Sequence, residues 1–263
     1  MSGIVDFHSH LIPAVDDGAP DAARAIEALR AFAAQGVATC ITTPHFDASL
    51  IRLPVAFSER LVALDAGWET LRAARAGLTG LPSLERGVEV MLDDRDPDLS
   101  DSRLRLAGGP FVLVEFPSLQ LPANASDAVR NLRQRGWLPI IAHPERYRNH
   151  DSRLSELREC RDAGAFLQLN AGSLIGQHGK RAETVAWVLL EQGWADYLAS
   201  DHHARGTPST GRALAELRAR GAATQAALLS EENPQRILRG EPPLAVPPHV
   251  APRASWWARL LGR

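Results

Sequence analysis

Short apolar runs alternate with longer amphipathic stretches from the amino terminus to about residue 240. The runs at 4–8, 37–43, 84–90, 111–116, 138–142, 165–170 and 195–200 read as β-strands. Between them, a helical period runs from Asp21 to Gln35, from about Phe57 to Ala76, and over 125–135, 151–163 and 181–192. Further helices are predicted at about 209–219 and 222–239. Gly36, Gly136, Gly164 and Gly193 follow four of these helices, where a residue able to turn left-handed ends the helical run. Repeated strand-then-helix units imply parallel strands joined by crossover helices. About seven strands favour an α/β fold closed, or nearly closed, into a barrel over an open doubly wound sheet.

The pattern changes at Gly240. Residues 1–240 hold the barrel units, whereas Glu241 to Pro252 is Pro-rich, lacks apolar periodicity and reads as a tail. Ala254 to Arg263, with Trp256-Trp257, is a short amphipathic segment. It suits a helix packed back on the barrel or a frayed end, and less well an anchor for a membrane surface or a partner.

Polar side chains interrupt the apolar pattern at one recurring place, the carboxyl end of a strand. These are Asp6-Phe7-His8-Ser9-His10, Thr42-Thr43-Pro44-His45, Val114-Glu115, Ala142-His143-Pro144-Glu145-Arg146 and Ser200-Asp201-His202-His203. Functional groups gather at that end in parallel barrels. His8 and His10 are two apart, as are Asp201 and His203, so each pair shares one face of its strand. Asp16-Asp17-Gly18 adds acids in the loop after the first strand. Glu89 and Glu115 are acids inside apolar strands, and an unpaired buried carboxylate costs several kcal/mol. Each therefore needs a cation, either a metal or an arginine, or hydrogen-bond donors. The candidate donors are five histidines, His8, His10, His45, His143 and His203, and four acids, Asp17, Glu89, Glu115 and Asp201. A set of nitrogen and oxygen donors without thiolate suits manganese, iron, zinc or magnesium, and it is too large for one ion. Two or three clustered ions supply a hydroxide nucleophile and clamp the oxygens of an in-line displacement, which points to phosphoester hydrolysis. Arg146 suits bidentate binding of phosphate or carboxylate. His150, His178, His202 and His249 lack the strand-end context or the facing and are left out, with His202 expected to point into structure.

Composition narrows the alternatives. The formal net charge is −2 with both signs interspersed, which gives no electrostatic footprint for nucleic acid. The two cysteines, Cys40 and Cys160, form no metal or redox spacing, and a reducing, cytoplasmic setting is expected. No apolar run approaches the length of a membrane span, and the first strand starts too early for a cleavable leader. Lys180 is the only lysine, so no P-loop lysine is available.

In order, these motifs (Asp-x-His-x-His, Val-Asp-Asp-Gly, Thr-Pro-His, Gly-x-Glu, Glu-Phe, Ala-His-Pro-Glu-Arg-Tyr and Ala-Ser-Asp-x-His) resemble the PHP (polymerase and histidinol phosphatase) superfamily. More closely, the chain is similar to the bacterial manganese-dependent protein-tyrosine phosphatases of capsular and exopolysaccharide operons. The stretches from His8 to Gly18 and from Ala142 to Tyr147 carry most of the likeness, which covers about residues 3–240. The resemblance implies a distorted (β/α)7 TIM-like barrel and a three-metal cluster. One ion would be held by His8, His10, Glu89 and Asp201, a second by Glu89, Glu115 and His143, and a third by Asp17, His45 and His203. It also implies a metal-bound hydroxide attacking phosphorus, with Arg146 on the phosphoryl oxygens. Arg205 is the nearest candidate for a second substrate arginine, and Arg52 is a further basic group toward the phosphotyrosine or the protein around it. The implied partner is a phosphotyrosine protein, in particular a bacterial tyrosine kinase of polysaccharide synthesis.

A small-molecule phosphatase, such as one acting on histidinol phosphate, would share the metal site and is the runner-up. Amidohydrolases also open with His-x-His, but many need a metal-bridging lysine in mid-chain, and Lys180 lies in the wrong place. A non-catalytic barrel would be expected to have lost ligands, and all nine positions here are filled.

Overall fold

The computed structural model describes residues 3–250, so Trp256-Trp257 and the segment around them lie outside the described residues. The chain runs β1 (Ile4–Asp6), α1 (Ala22–Ala34), β2 (Val37–Thr42), β3 (His45–Asp47), α2 (Pro54–Arg75), β4 (Ser83–Arg86), β5 (Glu89–Met91), β6 (Phe111–Glu115) and α3 (Ala125–Gln134). It continues through β7 (Leu138–Ala142), α4 (Ser155–Asp162), β8 (Phe166–Asn170), α5 (Ala171–Leu174), α6 (Gly179–Glu191) and β9 (Tyr197–Ala199). α7 (Thr210–Ala219), α8 (Ala223–Ala227) and α9 (Asn233–Leu238) finish it. All neighbouring strands are parallel, in the orders β1-β2-β4 and β3-β5-β6-β7-β8-β9.

The seven expected strands survive as seven, because two of them are interrupted. β2 stops at Thr42 and resumes as β3, since Pro44 has no N–H to offer the ladder. The third strand stops at Arg86 and resumes at Glu89 across Gly87. The breaks lie side by side and remain bonded: the Gly87 N–H donates to the Thr42 carbonyl at 2.9 Å and the Glu89 N–H to that of Pro44 at 3.0 Å. A Cβ at Gly87 would meet the Arg105 carbonyl and Leu106 Cα at 3.1 Å, so only glycine passes there without displacing them. The ring closes between β1 and β9. The His10 N–H donates to the His202 carbonyl at 2.9 Å, and the Asp201 N–H to that of His8 at 2.8 Å. The fold is thus a distorted (β/α)7 barrel, as the strand count and the resemblance imply.

Inside the barrel, Phe7, Phe111, Phe166 and Tyr197 meet edge to face or tilted, with centroids 5.3–6.3 Å apart. With Val5, Ile41, Leu113, Ile140 and Ile237 they form an apolar floor beneath the mouth. Outside, the helices cover alternate positions such as Val112, Val114, Ile141, Leu167 and Leu198.

Helix ends depart from the periodic reading for local reasons. α2 begins at Pro54, whose ring suits the first turn of a helix. α4 begins only at Ser155, because Leu154 is left-handed and the Asp151 carboxylate accepts the Ser155 N–H at 2.9 Å. The predicted helix over 222–239 divides into α8, a π-turn at Leu228–Glu232 and α9, next to Pro234, which has no N–H for an α-helical bond. Of the Pro-rich stretch, residues up to 250 lie along α6, α8 and α9. Val246 and His249 are buried, and Asn233 bonds both the N–H and the carbonyl of Leu244.

Asp6, fully buried at the closing seam, accepts from the Ser200 N–H at 3.1 Å and the Thr210 hydroxyl at 2.8 Å. Asp6→Ala leaves both donors buried and unpaired, at a cost of about 2–4 kcal/mol. At roughly 2–4 °C per kcal/mol for a chain of this size, thermal unfolding followed by circular dichroism should fall by about 5–10 °C. Unfolding at the wild-type temperature would remove Asp6 as the seam's fastener.

Candidate metal centre

Simple alternation brings several strands' last residues into the barrel mouth. In β6, Phe111 and Leu113 face the interior, so Glu115 follows on the same face. β8 repeats this with Phe166, Gln168 and Asn170, and β9 with Tyr197, Ala199 and then Asp201. His143 would fall with Ile141 on the helix side. Its left-handed backbone (φ 35°, ψ 52°) turns it back to the mouth. Asp201 is also left-handed, with φ 53°. Such conformations cost a non-glycine residue roughly 1–3 kcal/mol and persist where the surroundings over-determine them.

Glu89, fully buried, occupies the centre. Its Oε2 lies 3.3 Å from His8 Nε2, 3.6 Å from His10 Nε2 and 3.1 Å from His45 Nδ1, and its Oε1 lies 2.9 Å from His143 Nε2. Asp201 Oδ1 is 3.3 Å from His8 Nε2 and 3.2 Å from His10 Nε2. Glu115 Oε1 is 3.4 Å from His45 Nδ1, with Oε2 3.8 Å from His143 Nε2. At the outer edge, Asp17 Oδ1 is 3.5 Å from His45 Nε2 and 3.2 Å from His203 Nε2. The nine expected residues thus meet in one cluster. Three sets have donor atoms all within 4.8 Å of one another: His8, His10, Glu89 and Asp201; His45, Glu89 and Glu115; and His10, Asp17, His45 and His203. His143 belongs to none of these sets and joins the cluster through Glu89. His45 reaches both the Glu115 side and the Asp17 side.

The outer nitrogens of three imidazoles are held by acceptors, which directs their Nε2 atoms inward. His8 Nδ1 is 2.9 Å from Gln168 Oε1, His10 Nδ1 is 2.7 Å from Asp16 Oδ2, and His203 Nδ1 is 2.9 Å from the Asp201 carbonyl. This is the usual outer arrangement of metal-binding histidines, in which the second nitrogen fixes ring and tautomer. Asp16 also accepts the N–H groups of Gly18 and His45. A Cβ on Gly18 would collide with the His10 carbonyl, so the Asp-Asp-Gly loop needs glycine to lie this close.

The charge balance is that of a cation site. Burial lowers the His8 pKa, but Glu89 and Asp201 overcome it and hold the group at about 9. His45, likewise lowered by burial, is raised to about 11 by Glu115 and Glu89. Asp16, raised by burial, is pulled down to about 2 by His10. His203, stacked at 4.0 Å on His10, is lowered by burial and by that neighbour's charge. Glu89 Oε2 and His45 Nδ1 are buried with no hydrogen-bond partner among the described residues. With donors that are all nitrogen or carboxylate oxygen, these residues fit divalent ions.

The arginines divide. Arg146 Nη1 donates to Asp201 Oδ2 at 2.6 Å, at the inner rim. Arg205 is exposed and donates to the Asp17 carbonyl at 2.6 Å. Arg52 is engaged with Asp94 on the surface. His202 points away from the cluster, edge-on to Phe32 at 5.5 Å, as its place in the strand implies. Periodicity gave no role to Gln168, Asn170, Glu145 or Tyr147. Asn170 Nδ2 donates to Asp201 Oδ2 at 3.1 Å, and the Tyr147 hydroxyl accepts the Phe116 N–H at 2.9 Å. The available signal was the polar Gln168 and Asn170 within the otherwise apolar Phe166–Asn170 strand.

Removing an outer partner should loosen metal binding without removing a ligand. Asp16→Ala and Gln168→Ala are each expected to weaken divalent-ion affinity about 10–100-fold in competition with a fluorescent chelator, and unchanged affinity would deny them that role. Ions must also displace protons from the imidazoles, so apparent affinity should rise from pH 6 to pH 9, with proton release visible in calorimetry across buffers. In metal-free protein the sign reverses. The raised His8 pKa contributes stability that is full below about 6.5 and lost as pH climbs through about 9.

A family model described as capsular polysaccharide synthesis, CpsB/CapC, matches residues 4–239. The tyrosine-protein phosphatase YwqE of Bacillus subtilis (strain 168) is 34% identical over 203 residues, covering 76% of this chain and 77% of that one. A solved chain from work on YwqE of Bacillus subtilis and CpsB of Streptococcus pneumoniae, described as metal-dependent tyrosine phosphatases, superposes with a TM-score of 0.76. It is 29% identical and covers 95% of this chain and 100% of that one. An organophosphorus hydrolase from Deinococcus radiodurans shares the fold alone, with a TM-score of 0.54 at 16% identity over 90% of this chain and 93% of that one. With a family model spanning nearly all of the barrel and a relative above 30% identity, this chain belongs to the CpsB/CapC family of capsular polysaccharide synthesis.

Proposed function

We propose that this chain is a metal-dependent protein-tyrosine phosphatase. The observation that carries the reading is the convergence of five imidazoles and three further carboxylates around buried Glu89, with the Arg146 guanidinium fixed at the edge. The likeness to tyrosine phosphatases supports it. His8, His10, Glu89 and Asp201 would hold one ion, Glu89, Glu115 and His143 a second, and Asp17, His45 and His203 a third, with Glu89 shared. Manganese is the first choice, ahead of iron, zinc or magnesium. When bound, such ions acidify water into a nucleophile and neutralise phosphoryl oxygens.

The chain's own groups do the rest. Arg146 has five N–H donors, and Asp201 takes one of them, which leaves the others for phosphoryl oxygens. Arg205, tied to the Asp17 backbone, offers a second guanidinium. Asn170 and Arg146 both bond Asp201 Oδ2 and so fix the carboxylate while its Oδ1 faces His8 and His10. The capsular family description favours a cytoplasmic tyrosine kinase of polysaccharide synthesis as the phosphoprotein partner. No described helix is long and apolar enough to cross a membrane.

The test is phosphate release from a phosphotyrosine peptide by chelated protein with and without added Mn²⁺, beside histidinol phosphate. Mn²⁺-dependent turnover of the peptide is expected, reduced at least about 100-fold by His143→Ala and about 100-fold in kcat/KM by Arg146→Ala. Turnover of histidinol phosphate alone would move the chain to the small-molecule branch. Inactivity on both with metal bound would end the phosphoester reading. Asp17 is 61% exposed while Glu89 is wholly buried, so the ion at the Asp17 edge should leave first under graded chelation. Metal content by mass spectrometry should step down accordingly.

A further inference from the structure

Beside the metal cluster lies a cavity of about 290 Å³, and of its lining the phosphatase chemistry uses Arg146 alone. It is enclosed by the turns after β6 and β7 and by the amino-terminal end of α6. Arg146, Arg148, Arg181 and His178 line it, with Leu119 and Glu145. Arg146 forms a wall common to both spaces, since it also bonds Asp201.

Many surface arginines, among them Arg24, Arg52, Arg72, Arg130 and Arg135, hold a carboxylate, whereas others such as Arg30 and Arg153 stand alone among the described residues. What sets this cavity apart is that two unpaired arginines share it with Arg146. The guanidinium groups of Arg148 and Arg181 have no carboxylate or hydrogen-bond partner among the described residues, although both side chains are exposed and face one cavity. Glu145, the one acid on the wall, is buried and accepts from the Ser173 hydroxyl at 2.6 Å and the Asn170 N–H at 3.1 Å. His178 is anchored to that same hydroxyl, with Nδ1 at 2.9 Å. The first turn of α6, a 13-residue helix, has no side-chain cap, and its amino end adds positive potential at the rim. The volume is that of a side-chain pocket and is small for a cofactor.

We infer that this cavity is a second anion subsite, taking a carboxylate or phosphate on a side chain next to the phosphotyrosine in the same polypeptide. The inference rests on the phosphatase reading and gives it a substrate class: phosphotyrosine within acidic or multiply phosphorylated sequence. Because Arg146 borders both spaces, one peptide can occupy them together, with its phosphoryl group in the metal cluster and the neighbouring anion on Arg148 and Arg181.

The experiment compares kcat/KM of the metal-loaded full chain on four peptides, with phosphotyrosine flanked by glutamine, glutamate, a second phosphotyrosine or lysine. Preference for an anionic flank of about fivefold over glutamine, expressed in KM, is expected, and it should decline with added salt. The double variant Arg148→Gln/Arg181→Gln should bring that ratio close to one, and Arg181→Glu should turn it toward lysine. Equal gains from glutamate and phosphotyrosine would identify a general anion site. A gain from phosphotyrosine alone would identify a phosphate site. A wild type that cleaves all four peptides alike, or a double variant that loses the same factor on each, would overturn the subsite and leave the phosphatase reading intact. Failure of the wild type on every phosphotyrosine peptide would overturn both.

Discussion

A carboxylate with no exposure to water, surrounded by four imidazoles, is the constraint on which this molecule turns. Glu89 lies within 3.6 Å of His8, His10, His45 and His143, in a place where an uncompensated charge costs several kcal/mol. Without metal, protons on the imidazoles supply the compensation, which is why His8 and His45 hold theirs far above the ordinary range. Divalent ions supply it more fully, because each replaces a proton of unit charge with two charges. The barrel below serves this arrangement. Its floor of Phe7, Phe111, Phe166 and Tyr197 is apolar and packed together, and the polar cluster sits above it at the mouth.

A cluster of this kind works only if its members keep their positions to within fractions of an ångström, and the turn after β7 provides much of that control. From His143 to Tyr147, four of its five side chains reach other strand ends. His143 contacts Glu89 of β5, Glu145 accepts from the end of β8, Arg146 grips Asp201 after β9, and Tyr147 holds the backbone just past β6. Pro144, between them, presets the tight turn that follows the left-handed His143. The backbone strain at His143 and Asp201 therefore sits where several independent contacts hold it in place.

The ligand residues were legible because a period of two and a barrel's polarity are local rules. Glu115 and Asp201 could be placed from alternation alone, which also puts His8 and His10 on one shared face. The strand count was legible for the same reason, even though Pro44 and Gly87 cut two strands, since the pieces stay in register across the cut. What escaped depends on contacts between distant segments. Gln168 binds His8 across 160 residues of sequence and Asp6 reaches Thr210 across 204, and no local pattern announces such pairs. Tyr147 belonged to a motif recognised by resemblance, but its buried hydroxyl on the Phe116 N–H is visible only in three dimensions. Helix boundaries slipped where one side chain competes with the backbone, as Asp151 does before α4.

The same charges that would gather metal ions also bear on how substrate is received. Asp17, Glu89, Glu115 and Asp201 give the mouth four negative charges, and a phosphomonoester brings up to two more. Without metal, only the protons on imidazoles such as His8 and His45 and the guanidinium groups of Arg146 and Arg205 stand against that, and Arg146 is already partly neutralised by Asp201. Three divalent ions would outweigh the four carboxylates by two charges and turn a cation sink into an anion receptor. Bound ions would therefore favour substrate binding. The rim arginines would then contribute orientation more than attraction. That division of labour fits the arrangement seen here, with Glu89 innermost, imidazoles around it, Asp17 at the outer edge, and guanidinium groups held to the rim by the Asp201 carboxylate and the Asp17 carbonyl.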